Sequence, residues 1–76
     1  MKLADLKRGH QGRITAIDAG DALLRKLLEL GLHEGMDVRL AHTGPFGSDP
    51  IAIEISDRCI ALRRRDASHI TIEPIG

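Results

Sequence analysis

The sequence predicts a mainly β protein: a small five-stranded antiparallel barrel, with one short α-helix between its first and second strands and a helical turn before its last. Three observations lead there. From Met36 onward apolar residues recur at a spacing of two, the period of a strand with one buried face. The alternating runs are short and are separated by breaks rich in Gly, Pro, Asp and Ser, the pattern of a small barrel rather than of a layered α/β fold. Only one segment, Leu23 to Leu30, carries its apolar residues at helical spacing.

The chain opens on an arm in which Leu3 and Leu6 are set among polar residues, followed by a turn at Gly9. Gly9 and Gly12 give that turn its backbone freedom. Arg13 to Asp18 is the first strand. Its apolar residues Ile14, Ala16 and Ile17 do not alternate cleanly, so the strand either carries a bulge or is covered on both faces. Asp18 or Asp21 then caps the helix and complements the positive end of its dipole. The helix ends near Leu30, and Gly31 stands where a left-handed residue is needed. Gly35 closes the following turn.

In the second strand Met36, Val38, Leu40 and His42 share one face, and Asp37, Arg39 and Ala41 the other. Thr43 to Pro50 reads as a Gly- and Pro-dense loop. Ile51, Ile53 and Ile55 form the buried face of the third strand. Ser56-Asp57 is a tight turn, so the strand bearing Ile60 and Leu62 is its antiparallel neighbour. Arg64 to Ser68 forms one helical turn, and Ile70 and Ile72 make a last strand ended by Pro74. Five such strands in 76 residues fit a barrel of the SH3 type, in a single domain spanning 1–76.

Size and composition narrow the function classes. A chain this short buries only about 60% of the surface its unfolded form exposes, leaving little room for an enclosed active site. Eleven basic residues balance eleven acidic ones, so no general field draws nucleic acid or acidic lipid. A single cysteine, Cys59, rules out an internal disulfide and fits a reducing compartment. Met1 to Leu6 is followed by charge rather than by the apolar run of a signal peptide, and no apolar stretch approaches the roughly 18 residues of a membrane span. A cytoplasmic protein is expected. Phe46 is the one aromatic residue, so the core is aliphatic.

Catalytic signatures are missing. Ser48, Ser56 and Ser68 lie in turns, not in a strand-to-helix elbow. No GxxxxGK[ST] loop is present, and Gly44-Pro45-Phe46-Gly47 precedes no helix that would offer N–H groups to phosphate. The protein is therefore expected not to be an enzyme. Among His10, His33, His42, His69 and Cys59 no pair has zinc-ligand spacing. His33, His42 and Cys59 are the weak candidates for a transition metal such as Fe2+ or Zn2+, with solvent-facing histidines and a small apolar filler at Cys59 as the simpler reading. Arg63-Arg64-Arg65 is the one basic run; it reads either as a contact to an acidic partner or phosphate or, more simply, as a solvated strand end with Asp66 as partner. A nucleic-acid groove would add stacking aromatics, which this chain lacks.

The helix carries more information. At about 100° per residue, Leu23, Leu27 and Leu30 form a stripe roughly 60° wide, and Leu24 and Leu28 widen the apolar arc to about 160°. One helix capping a small barrel uses a stripe of about 100°. Leu24 and Leu28 are thus either covered by neighbouring loops, such as 44–50, or exposed to a partner.

These pieces, in this order, resemble the FeoA family of ferrous iron transport proteins. The likeness rests on Leu3, Leu6 and Gly9, the LLRKLLELGLHEG helix and turn, the Gly44-Pro45-Phe46-Gly47 loop running to Asp49-Pro50-Ile51, and Ala61-Leu62-Arg63-Arg64 followed by Ala67 and Ile70. The family loop commonly reads Gly-Asp-Pro-Ile; here Ser48 stands between Gly47 and Asp49, which lengthens it by one residue. Where the family often has a glycine between strands three and four, this chain has Ser56-Asp57. The resemblance implies an SH3-like barrel and a cytoplasmic accessory role in ferrous iron uptake, exerted by docking on FeoB, a membrane transporter with a cytoplasmic GTPase domain. On that reading Leu24, Arg25, Lys26, Leu27 and Leu28 form the partner surface, while Gly31, Gly35, Pro45, Gly47, Asp49 and Pro50 set the shape of turns and loop. The alternatives are the SH3-like regulatory module of metal-dependent repressors and a weak transition-metal-binding protein. An open sheet edge or Cys59 offers a route to a homodimer.

Overall fold

A computed structural model describes residues 1–46 and 49–76. The element order is a 3-10 turn Leu3–Asp5, β1 Gln11–Ile17, α1 Asp21–Glu29, β2 Asp37–Phe46, β3 Asp49–Ile55, β4 Arg58–Leu62, α2 Arg64–Ala67 and β5 Ile70–Ile75. The strands form one antiparallel sheet in the order β4-β3-β2-β1-β5. The expected five strands, helix and helical turn are present in the expected order.

The core is aliphatic. Leu3, Leu6, Ile14, Leu27, Leu32, Val38, Leu40, the three isoleucines of β3, Leu62, Ala67, Ile70 and Ile72 are buried in one cluster. Ile51, Ile53 and Ile55 face inward by strand alternation. The N-terminal arm does reach the core: Leu3 is fully buried and Leu6 nearly so. The irregular pattern of β1 is resolved as a bulge. Its register against β5 shifts between Ile14 and Ala16, which explains the broken alternation.

The helix boundary follows local chemistry. Gly31 adopts φ +92°, its N–H bonds to the Leu28 carbonyl, and the Leu32 N–H bonds to the Leu27 carbonyl. These two bonds are the Schellman arrangement, and Leu27 and Leu32, both fully buried, supply the apolar contact that accompanies it. Gly35, at φ +88°, gives its N–H to the Ile14 carbonyl and closes the turn into β2.

Several expectations change. The helix N-cap is Gly20, without a side-chain cap; Asp21 lies in the first turn, where it still complements the dipole. The 43–50 segment is largely strand rather than loop: β2 runs to Phe46 and β3 begins at Asp49, with a register shift between Thr43 and Phe46. Gly44 makes that irregular pairing feasible, because a Cβ there would lie 2.5 Å from the Asp49 carbonyl oxygen. Pro45 sits in the irregular stretch, where strands tolerate proline; Gly47 and Ser48 lie outside the described residues. In the β3–β4 turn expected at Ser56-Asp57, Ser56 takes the left-handed conformation, at φ 53°. Finally, β5 passes through Pro74, which pairs with Gly12. As an edge strand, β5 can hold a residue that has no N–H to donate.

Candidate partner-binding surface

Helix α1 packs one side on the core and leaves another open. Leu27 is fully buried, with Leu23 and Leu30 packed partly buried beside it. That is the predicted core stripe. Leu27 therefore belongs to the core and not to a contact surface: its direction on the helix points it at the sheet. Leu28 is 53% exposed, Leu24 is half-buried and Arg25 is exposed. Leu28 thus faces solvent.

Lys26 is corrected as well. At about 100° per residue it lies some 160° around the helix from Leu24, on the opposite flank. There its Nζ donates to Asp66 Oδ2 at 3.2 Å. The Asp66 side chain is only 11% exposed, and its second oxygen lies 4.0 Å from Arg65 Nε. Lys26 ties α1 to α2 rather than presenting charge beside Leu28. Leu28, Leu24 and Arg25 thus share the flank of α1 away from Lys26, within an open surface that also carries the exposed Asp21, Ala22 and Glu29.

The end of α1 and the start of α2 are held by contacts that the sequence pattern did not announce. The Arg58 guanidinium donates to the Leu30 carbonyl at the end of α1, where a cation satisfies an orphan acceptor and the negative end of the dipole. Asp49 Oδ1 accepts the Arg64 N–H at 2.9 Å, a cap on α2 supplied from β3. The Arg64 side chain reaches the Ala4 carbonyl and so fastens the N-terminal arm. Asp49 thereby links the start of β3 to the start of α2. Arg58, Arg64 and Asp66 were missed because their partners lie 15 to 60 residues away, except that Asp66 was noted as a neighbour of the arginine run.

The weak metal candidates are not brought together. His33 lies in the turn after α1, with Nδ1 3.0 Å from the Glu34 carbonyl oxygen. His42 is on β2 and Cys59 on β4, both exposed, with β3 between those strands. Cys59 is thus a surface thiol and not an apolar filler. Among the described residues no group of three or more His, Cys, Asp or Glu side chains is placed to hold a metal ion. The hydrogen bond to Asp37, 2.8 Å from Arg13 Nε, raises the Arg13 guanidinium further above its ordinary pKa. Arginine is charged throughout the physiological range in any case, so this pair is not a pH switch. No helix among the described residues is long and apolar enough to cross a membrane.

Comparison with known proteins agrees with this geometry. The Fe(2+) transport protein A/Fe(2+) transporter FeoB fusion protein of Porphyromonas gingivalis is 31% identical over 76 residues; the match covers this whole chain but 9% of that protein. The solution structure of iron(II) transport protein A from Clostridium thermocellum superposes with a TM-score of 0.93 at 35% identity, covering 99% of this chain and 46% of that one. The FeoA of Stenotrophomonas maltophilia, an SH3 domain protein crystallised in complex with zinc, gives a TM-score of 0.82 at 29% identity, covering 96% and 89%. The chain thus spans less than half the length of the first two proteins it matches. The FeoA domain pattern matches residues 1–74, and with the SH3-like sheet, the α1 turn and the Asp49-Pro50 hairpin in place, this chain belongs to the FeoA family.

Proposed function

We propose that this protein is a cytoplasmic, non-catalytic accessory factor of ferrous iron uptake that docks on a FeoB-like transporter and modulates its assembly or nucleotide cycle. The observation that carries the reading is the fusion protein, in which a segment matching this whole chain is joined to FeoB in one polypeptide. Covalent linkage of two modules raises their effective concentration and fits partners that act together. The exposed face of α1 is the contact: Leu28 is a large apolar side chain that the fold does not use, and Leu24 and Arg25 flank it.

The test is a titration of the cytoplasmic GTPase region of a FeoB-like transporter with this protein, with and without GTP. Binding should appear in at least one nucleotide state and should fall about tenfold or more in Leu28→Asp, the loss typical of an apolar anchor. The folded state should be unchanged in that variant. No binding in either state would overturn the docking mechanism. Binding unaffected by Leu24→Asp and Leu28→Asp would leave the partner and remove α1 as its contact.

A further inference from the structure

The two edges of the sheet are treated differently. The outer edge of β5 is blunted: Lys2 pairs with Thr71, the Ile72 N–H donates to the Met1 carbonyl at 2.7 Å, and Pro74 lies within the strand. The other edge, β4, pairs only with β3 among the described strands and contains no proline. Its one charged residue, Arg58, has its guanidinium turned onto the Leu30 carbonyl. A short open edge without the usual blocking devices is a template for another strand.

The phase of the hairpin fixes which groups are free. Ile55 and Arg58 face each other across the two-residue turn Ser56-Asp57, and the residues flanking such a turn form a hydrogen-bonded pair. Pairs alternate from there, so Ile53–Ile60 and Ile51–Leu62 are also hydrogen-bonded. The N–H and C=O groups of Cys59 and Ala61 therefore point outward along the open edge. Between them sits Ile60, apolar and only partly buried.

We infer that β4 pairs with β4 of a second copy of this chain, antiparallel about a two-fold axis at Ile60. In this register Cys59 of one copy exchanges both backbone bonds with Ala61 of the other, and the reverse, so all four outward groups on each edge are satisfied. The two Ile60 residues meet as a close, non-hydrogen-bonded pair, which covers their remaining exposed surface. Arg63 falls opposite Asp57 of the second copy, twice by symmetry. Neither side chain makes a hydrogen bond or ion pair among the described residues. The alternative registers are poorer. Centring on Cys59 leaves Ala61 opposite the turn residue Asp57, and centring on Ala61 brings Arg58 against Arg64 of the second copy. Zero net charge removes any general repulsion between copies. The contact is short, so the dimer is weak and concentration-dependent. The inference rests on the β4 edge and not on the docking reading of Leu28 on α1.

The test is sedimentation and amide hydrogen exchange on the full chain, under reducing conditions so that no Cys59 disulfide contributes. Mass should move from monomer toward dimer between about 20 μM and about 1 mM, the range of a weak interface. Over that range the Cys59 and Ala61 amides should slow about tenfold, as newly bonded edge groups do. Ala61→Pro removes an outward N–H that the monomer does not use, and should give a folded protein that stays monomeric. Asp57→Arg and Arg63→Asp should each weaken the dimer about threefold or more, and the double variant should recover it, the coupling expected of one ion pair. A monomer at about 1 mM overturns the inference, as does a dimer in which the Cys59 and Ala61 amides exchange unchanged. Should Ala61→Pro fail to fold, the charge-swap variants decide.

Discussion

Asp66 shows how much one side chain does in a domain this thin. It is almost enclosed, and Lys26 reaches it from another helix while keeping its own head in water. The two partners should not behave alike when removed. Asp66→Asn frees an ammonium that is already 58% exposed and simply hydrates; the expected cost is below about 1 kcal/mol, in the range of exposed pairs. Lys26→Met leaves a nearly enclosed carboxylate with only Arg65 in distant reach, and the expected cost is about 1–3 kcal/mol, that of an unsatisfied buried group. Urea titration of the two variants checks the order. Gly31 is the other residue whose change is felt locally. At φ +92° a side chain is strained, and a Cβ would meet the Arg58 guanidinium that caps the helix. Gly31→Ala should lose about 1–2 kcal/mol from the left-handed conformation alone, while Gly20→Ala, where an added Cβ meets nothing, should lose less in the same titration.

At the scale of the element, α1 separates stability from recognition along a single turn. Leu27 and Leu28 are neighbours in sequence, yet one is fully buried and the other 53% exposed. Leu27→Ala should cost about 2–5 kcal/mol, the transfer term plus the cavity. Leu28→Ala should stay within about 0.5 kcal/mol of the parent protein. Chemical denaturation of the pair checks this, and the order should invert when transporter binding is measured on folded protein. The core stripe of this helix and its glycine stop were readable from spacing, because both follow from the 3.6-residue period and the left-handed C′ position. Leu27 was nonetheless also placed on the partner face, since a periodicity alone does not say where a stripe 160° wide meets the sheet. The Thr43–Pro50 segment was misjudged for a different reason. Gly and Pro signal a break, but here they accommodate an irregular register inside a continuing hairpin, and the close approach of Gly44 to Asp49 exists only once β2 and β3 have paired. The Asp49 cap on α2 and the Arg58 cap on α1 are likewise non-local, so no local signal announced them.

At the scale of the whole molecule, the N-terminal arm closes what the sheet leaves open. Leu3 and Leu6 fill the core from outside the five strands. The Arg64 side chain holds the Ala4 carbonyl, Lys2 pairs with Thr71, and Met1 accepts the Ile72 N–H. This arm joins α2, β5 and the core at once, though it contributes only a single 3-10 turn of regular structure. A domain of this length has a net stability of about 4–11 kcal/mol, at 0.05–0.15 kcal/mol per residue. Burying two leucines contributes about 3–6 kcal/mol, at 1.5–3 kcal/mol each. Removing residues 1–6 therefore takes away a large fraction of the total while deleting no residue of the five strands, though it strips the Lys2 and Met1 contacts from the outer edge of β5. The truncated protein should melt at least about 15 °C lower than the full chain, given about 4–8 °C per kcal/mol in a domain of this size. Calorimetry checks the shift. A cooperative transition within about 5 °C of the full chain would mean that the sheet and α1 hold the core without the arm, and that Leu3 and Leu6 cover it without supporting it.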